Sequence, residues 1–106
     1  MMGLFRKKPK IEATDVDFDD LKFYRVLDNS AIYEYAEAIM HRLPIVLNFA
    51  GATPTEANEV LMFLSGVLYA CDGEIVKIQE RIYLMAQKTD LKGPTLTKFI
   101  NDYQKR

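Results

Sequence analysis

Apolar and polar positions follow strand-like and helix-like spacings along most of the chain. The segment "LKFYRVL", Leu21 to Leu27, is rich in β-branched and aromatic residues and ends at a turn-forming Asp-Asn-Ser cluster, which predicts a strand. Helical spacing follows up to Leu43, with Ser30 as the candidate N-cap. The helix must end before Pro44, because a residue ahead of proline is pushed out of the α region. "PIVLNF" is apolar at nearly every position and predicts a central strand covered on both faces.

A second helix is predicted from Pro54 to about Cys71. Thr53 and Glu56 have capping-box spacing, and Pro54 occupies the first helical position, where its missing N–H costs nothing. The dipeptide after Cys71 is a stop signal, with Gly73 able to adopt the left-handed conformation at the helix end. The sequence therefore predicts a well-defined second helix with a cap at each end.

The last third of the chain predicts a hairpin followed by a helix. "EIVKIQ" and "RIYLMAQ" are two strands with a tight connection near Glu80. Residues 88–93 are predicted as loop, and Pro94 to Tyr103 as a last helix. The order β-α-β-α-β-β-α predicts a compact α/β fold, a two-layer sandwich in which helices pack on a mixed β-sheet.

The helix from Pro54 to Cys71 is hydrophobic almost all round, so two of its sides need cover. One apolar stripe faces the sheet. The second stripe is covered either by a partner chain or by the last helix of the same chain. The second stripe contains two small residues four positions apart, Gly66 and Ala70, which would let the backbone of another helix approach closely. We therefore favour a homodimer. The predicted dimer interface consists of Phe63, Gly66, Tyr69 and Ala70.

Charge is segregated at the N-terminus although the chain as a whole is balanced, with 14 basic and 15 acidic side chains. Residues 1–10 carry four cations and no acid, and residues 11–20 carry five acids and no base. We divide the chain into a basic amphipathic arm (1–10), a flexible acidic linker (11–20) and an α/β core domain (21–106). The net charge of −1 argues against a nucleic-acid partner.

The basic arm has the composition of an interfacial membrane anchor. Leu4 and Phe5 would enter the bilayer surface, and Arg6, Lys7 and Lys8 would contact anionic headgroups. Each cation near an anionic leaflet adds about 1 kcal/mol, so one arm makes a weak, reversible anchor that a dimer would strengthen through avidity. The alternative is a merely solvated chain terminus.

Catalytic chemistry is not favoured at any position. A nucleophilic cysteine needs a base and a lowered pKa, but Cys71 ends a helix beside acids, and His41 lies in another element. A buried structural thiol is the better interpretation. One Cys and one His supply no metal-ligand set, and "FAGATPTE" lacks the lysine and glycine spacing of a nucleotide loop. We therefore expect no catalytic residue, no metal and no cofactor.

The segment from Met62 to Ala86, "MFLSGVLYACDGEIVKIQERIYLMA", resembles the signature region of the SepF cell-division family. In that family a helix ending in Phe-Leu-x-Gly-x-x-Tyr/Phe-Ala meets a glycine turn and two strands, the second containing Ile/Val-Phe-Leu. The resemblance extends more loosely back to Lys22. The matching positions are Phe63, Leu64, Ser65, Gly66, Tyr69, Ala70, Gly73, Ile75, Ile78, Ile82 and Leu84.

The resemblance implies a non-enzymatic adaptor. SepF-like proteins bind the cytoplasmic face of the membrane at the division site through the arm, and they bind the C-terminal tail of FtsZ on a dimeric core. Tyr83 occupies the aromatic position that the family uses around the tail pocket, and Lys77 and Gln79 lie on the adjoining strand. Asp72 replaces the first of the paired glycines common in bacterial members, which favours an archaeal-type member.

Two other functions remain open at this point. A small signalling or ligand-sensing module would use Ser65 or the helix terminus at Thr53. A thiol enzyme would use Cys71. The first is distinguished by a phosphosite or a bound metabolite, and the second by alkylation of the native thiol.

Overall fold

The computed structural model describes residues 15–105. A short 3-10 helix, Phe18–Asp20, precedes the main elements, which are β1 (Lys22–Arg25), α1 (Ile32–Met40), β2 (Ile45–Asn48), α2 (Pro54–Ala70), β3 (Gly73–Gln79), β4 (Ile82–Gln87), α3 (Lys88–Leu91) and α4 (Pro94–Gln104). The predicted order of strands and long helices is confirmed. The prediction of a loop over 88–93 is wrong in its first part, because residues 88–91 form a single helical turn, too short to leave an apolar period in the sequence.

The four strands form one mixed sheet in the order β1-β2-β4-β3. Strands β1 and β2 are parallel and are connected through α1, whereas β4 is antiparallel to both β2 and β3. The parallel pair needs a crossover helix, and the antiparallel pair needs only a tight turn. The α/β class and the mixed sheet with packed helices are therefore confirmed.

Helices cover the sheet unequally on its two faces. α1 and α2 pack on one face, and their core is formed by large, fully buried side chains, namely Ile39, Ile45, Leu47, Phe49, Leu64 and Met85. Each such side chain contributes about 1.5–3 kcal/mol through burial. On the opposite face Phe99 of α4 packs with Val46, Ile78 and Leu84. The last helix thus lies across the sheet from α2, and the alternative that it covers the second stripe of α2 is wrong.

The N-cap prediction is correct for α2 and wrong for α1. Thr53 Oγ1 accepts a hydrogen bond from the Glu56 backbone N–H at 3.2 Å, with Pro54 at the first position. Ser30 does not cap α1, whose N-cap is Ala31 without a side-chain bond. The Ser30 N–H instead donates to Asp28 Oδ1 at 2.9 Å in a local turn.

The end of α2 is built differently from the sequence prediction. Asp72, with φ 62°, takes the left-handed conformation, and Gly73 does not. Gly73 is buried, and a Cβ there would overlap the Leu68 side chain and lie 3.1 Å from the Ala86 carbonyl oxygen. Glycine is needed at this position for the close approach of β3 to α2, rather than for its freedom in φ.

Candidate functional site

A hollow of about 310 Å³ opens beside Tyr83, between the N-terminal half of α2 and the turn that joins β3 to β4. We call it the Tyr83 hollow. Its apolar wall comes from both helix and sheet, and three polar side chains lie at its rim. The lining residues are Phe49, Pro54, Ala57, Asn58, Leu61, Glu80, Arg81 and Tyr83.

Tyr83 is held in a defined position by an aromatic contact. It lies half-buried on β4, and its ring meets the fully buried ring of Phe49 edge-on, with centroids 5.8 Å apart at 78°. Edge-to-face pairs of this kind stabilise one ring orientation. Phe49 in turn follows β2, and its N–H donates to the Arg81 carbonyl at 2.8 Å. The aromatic side of the hollow is therefore preorganised.

The structure brings Lys77 beside Tyr83. The two residues are cross-strand partners in the β3–β4 hairpin. Lys77 Nζ lies 3.2 Å from Glu80 Oε2 in an exposed ion pair, and such pairs exchange partners easily because they are worth little in water. The ammonium group is thus positioned next to the hollow and is available to an acidic ligand.

Gln79 lies on the other face of the sheet. A register shift between Lys77 and Gln79 pairs Gln79 with Ile82, and Gln79 Nε2 donates to the Tyr103 carbonyl of α4 at 3.5 Å. A bulge of this kind moves the next side chain to the opposite face. Of the three residues predicted for the peptide site, the structure therefore brings Lys77 and Tyr83 together and places Gln79 on the opposite face. Sequence spacing alone could not reveal this bulge.

Arg81 is a residue of the hollow that the sequence did not single out. It stands at the hairpin tip with φ 64°, and its Nη2 donates to the Ala52 carbonyl at 2.5 Å. This bond fixes the hairpin tip to the loop before α2 and places a cation at the rim. The only signal in the sequence was a tip, "QER", without the glycine that such a turn favours.

The hollow is suited to binding rather than to bond-making. Its wall can accommodate an apolar side chain, and Lys77, Arg81 and Asn58 can contact carboxylate or carbonyl oxygens. Among residues 15–105, the acids, Cys71 and His41 form no cluster that could hold a metal ion.

The two residues considered for a signalling or ligand-sensing module both bond within α2. Ser65 Oγ donates to the Leu61 carbonyl at 2.7 Å, and Thr53 caps the start of the helix.

The predicted dimer residues form an exposed face on α2. Tyr69 is 90% exposed and Phe63 is 41% exposed, Ala70 is also exposed, and the space around Gly66 is open. Tyr33 of α1 extends this face, with its ring 5.9 Å from that of Phe63 at 86°. The α1–α2 face therefore presents large apolar side chains to solvent, and the interface itself stays a prediction.

The predicted membrane contacts, Leu4, Phe5, Arg6, Lys7 and Lys8, lie outside the described residues. Within residues 15–105, none of the helices has the length and apolar character needed to cross a bilayer. The anchor, like the division of the chain into arm, linker and core, therefore stays a prediction.

Comparison with known proteins identifies the family. The model of the family "Cell division protein SepF" matches residues 22–88, which span β1 to the start of α3. Cell division protein SepF of Brevibacillus brevis is 31% identical over 61 residues, covering 57% of this chain and 43% of that protein. The protein of the same name from Pelotomaculum thermopropionicum is 31% identical over 70 residues, covering 61% and 47%.

A third relative extends the comparison. Cell division protein SepF of Oenococcus oeni is 24% identical over 92 residues, covering 77% of this chain and 51% of that protein. The chain spans about half the length of these relatives. The match of the family model over more than half of the chain is decisive: this chain belongs to the SepF family of cell division proteins.

Proposed function

We propose that this protein is a non-enzymatic adaptor in cell division that binds the C-terminal tail of FtsZ on a dimeric core and attaches it to the membrane through residues 1–10. The observation that carries the proposal is the Tyr83 hollow, where an aromatic ring and Arg81 border an apolar wall and Lys77 is the cross-strand partner of Tyr83. An apolar peptide that carries acids requires this combination.

Dimerisation is supported by the exposed α1–α2 face. Large side chains such as Tyr33, Met62 and Tyr69 are each at least three-quarters exposed, and an aromatic face of this kind is typical of a protein interface. The two helices run parallel, because Asn29, just before α1, bonds to Glu59 of α2, and Tyr33 meets Phe63 four residues further along both segments. A second copy would bury these side chains against an equivalent pair of helices.

Membrane attachment is supported by the composition of the arm and by the avidity that two arms on one dimer would provide. A single short arm binds weakly, whereas two arms on one dimer bind through avidity. The adaptor would therefore be efficient only as a dimer. Dimerisation through the α1–α2 face would thus raise the membrane affinity of the basic arms.

The first test measures binding of a fluorescent FtsZ C-terminal tail peptide by anisotropy. Tyr83→Ala is expected to weaken binding at least about tenfold, because truncating an aromatic anchor in a pocket typically costs 2 kcal/mol or more. Tyr83→Phe, which keeps the ring, should bind nearly as well as the wild type. Equal affinity for wild type and Tyr83→Ala would refute the assignment of the hollow.

The second test measures co-sedimentation of FtsZ filaments with phosphatidylglycerol vesicles. The filaments should sediment with vesicles only when this protein is present, and deletion of residues 1–10 should abolish the effect. A Leu4→Ser, Phe5→Ser double variant separates apolar insertion from charge, since it keeps all four cations of the arm. Vesicle binding that is unchanged by the deletion would contradict the proposed anchor.

A further inference from the structure

A second groove, independent of the Tyr83 hollow, lies on the α4 side of the sheet. It has a volume of about 280 Å³ and is open along β1. Val46 and Ile82 form its floor, and the rings of Phe23 and Tyr103 form its walls. We call it the β1 groove. Phe23 is 53% exposed, so the groove presents an aromatic wall that α4 covers only in part.

One end of the β1 groove carries uncompensated positive charge. Arg25 lines the groove and forms no ion pair with any residue between 15 and 105. Asn48 lies opposite, paired with Arg25 across β1 and β2. Its Oδ1 accepts a bond from the Ala50 N–H at 2.9 Å, and its side-chain amide also has two N–H donors. A carboxylate at this end would be complementary to both groups.

The groove also borders an open sheet edge. Among residues 15–105, β1 pairs only with β2. The N–H groups of Lys22 and Val26 donate to the Pro44 and Asn48 carbonyls at 3.2 and 2.9 Å. Alternate residues of a strand point to opposite edges, so the backbone groups of Phe23 and Arg25 face outward. Phe23 and Arg25, two of the residues that line the groove, therefore also direct their backbone groups to the edge of the sheet that no strand of residues 15–105 covers.

We propose that the β1 groove binds an extended acidic peptide of a partner protein, which adds to β1 as a fifth strand. Strand addition supplies main-chain hydrogen bonds and leaves alternate side chains to provide specificity. Phe23 and Arg25 are two positions apart, so the ligand places an apolar side chain beside Phe23 and a carboxylate, two positions along, beside Arg25. The groove thus selects an apolar residue and an acid two positions apart, in the order apolar-x-acid for a parallel strand and acid-x-apolar for an antiparallel one.

The test is an amide chemical-shift titration of the full chain with acetyl-Thr-Leu-Thr-Phe-Thr-Glu-Thr-amide. Its reversed sequence is titrated as well, because the two peptides together allow parallel and antiparallel addition. At least one of them is expected to shift the amides of β1, Asn48 and Ile82. Replacing Glu by Gln in that peptide should weaken binding about threefold or more, through loss of the charge-assisted bond.

Two variants make the assignment specific. Arg25→Gln should remove the preference for the Glu peptide over the Gln peptide, as expected for a coupled pair in a double-mutant cycle. Lys22→Gln is the matched control, since it removes a cation from the same strand on the opposite sheet face, and it should keep the preference. Each of these outcomes supports the proposal, and none depends on FtsZ.

Four results would overturn the proposal. They are no shift with either peptide, shifts confined to the Tyr83 hollow, a preference for Glu that survives Arg25→Gln, and groove amides that shift on dilution without peptide. The last result would mean that a second copy of this chain occupies the groove.

Discussion

The Asp15 carboxylate accepts a hydrogen bond from the backbone N–H of Thr95 at 3.2 Å, joining residues 80 positions apart. Thr95 lies in the first turn of α4, whose N-cap, Gly93, provides no side-chain cap. Asp15 thus supplies a capping bond from outside the helix. Phe18 packs nearby, with its ring 6.1 Å from that of Phe99. The chain is therefore held against α4 at Asp15 and Phe18, before β1 begins.

Asp15→Asn is expected to lower the thermal unfolding midpoint modestly and to speed amide exchange at the start of α4. The hydrogen bonds with Thr95 lower the pKa of Asp15 below its ordinary value. A lowered folded-state pKa contributes stability that is present above the unfolded value, about 3.9, and that is lost as pH falls through the folded value. The difference between wild type and variant, measured by urea unfolding, should therefore be larger at pH 6 than at pH 2.5.

Asp20→Asn is the control for this prediction, because it removes an exposed acid from the same segment outside the bond to Thr95. If both variants behave alike at all pH values, net charge rather than the capping bond explains the effect.

Gly73→Ala should destabilise the fold by about 1–3 kcal/mol, as overpacking a tight site typically does. The added methyl would overlap Leu68. Asp72→Gly should be neutral or stabilising, because glycine adopts the left-handed conformation of Asp72 without steric cost. Chemical denaturation of both variants checks the pair. A destabilising Asp72→Gly together with a harmless Gly73→Ala would contradict this account of the turn.

Gly66→Gln separates folding from self-association. The position is open in the single chain, so a side chain there should raise helix stability by several tenths of a kcal/mol, since glycine is a poor helix former. On the proposed dimer face it should instead weaken association. Sedimentation velocity over a concentration series, together with thermal unfolding, measures both effects. Thr55→Gln, exposed on the first turn of the same helix, should leave association unchanged.

Alkaline pH should weaken the core around Tyr24 and Tyr35, whose rings meet 5.1 Å apart. Burial, assisted by the charge of Glu34, raises the pKa of both phenols. The stability linked to a raised pKa is fully present below the unfolded value, about 10, and is lost as pH rises through the folded value. Absorbance titration should show these two tyrosines ionising late. Tyr24→Phe should reduce the alkaline loss of stability, and an unchanged loss would contradict the linkage.

The sequence predicts the local features of this fold well and its long-range features poorly. The element order and the Thr53–Pro54 start of α2 depend on neighbouring residues, so periodicity and capping chemistry suffice. The bond from Asp15 to Thr95 depends on tertiary packing, which periodicity does not encode. The sequence also predicted the left-handed conformation at Gly73, whereas Asp72 adopts it. This difference likewise follows from tertiary packing, since Gly73 lies where β3 comes close to α2.

The candidate site divides in the same way. Tyr83 and Lys77 were named from the family resemblance, and the pairing of the two predicted strands places them side by side. The bulge that moves Gln79 to the other face and the conformation of Arg81 are set by the turn itself. The β1 groove was not predicted, because it forms only where α4 leaves part of the sheet uncovered.

The attachment of Asp15 to α4 also fixes how far a membrane anchor can act. Ten residue steps separate Phe5 from Asp15. If Phe5 enters the bilayer as proposed, the distance between the bilayer surface and α4 is limited to about 35 Å. If two copies meet through their α1–α2 faces, α4 lies on the outside of each copy. The two anchors would then leave from opposite flanks of the dimer, each within about 35 Å of its own α4.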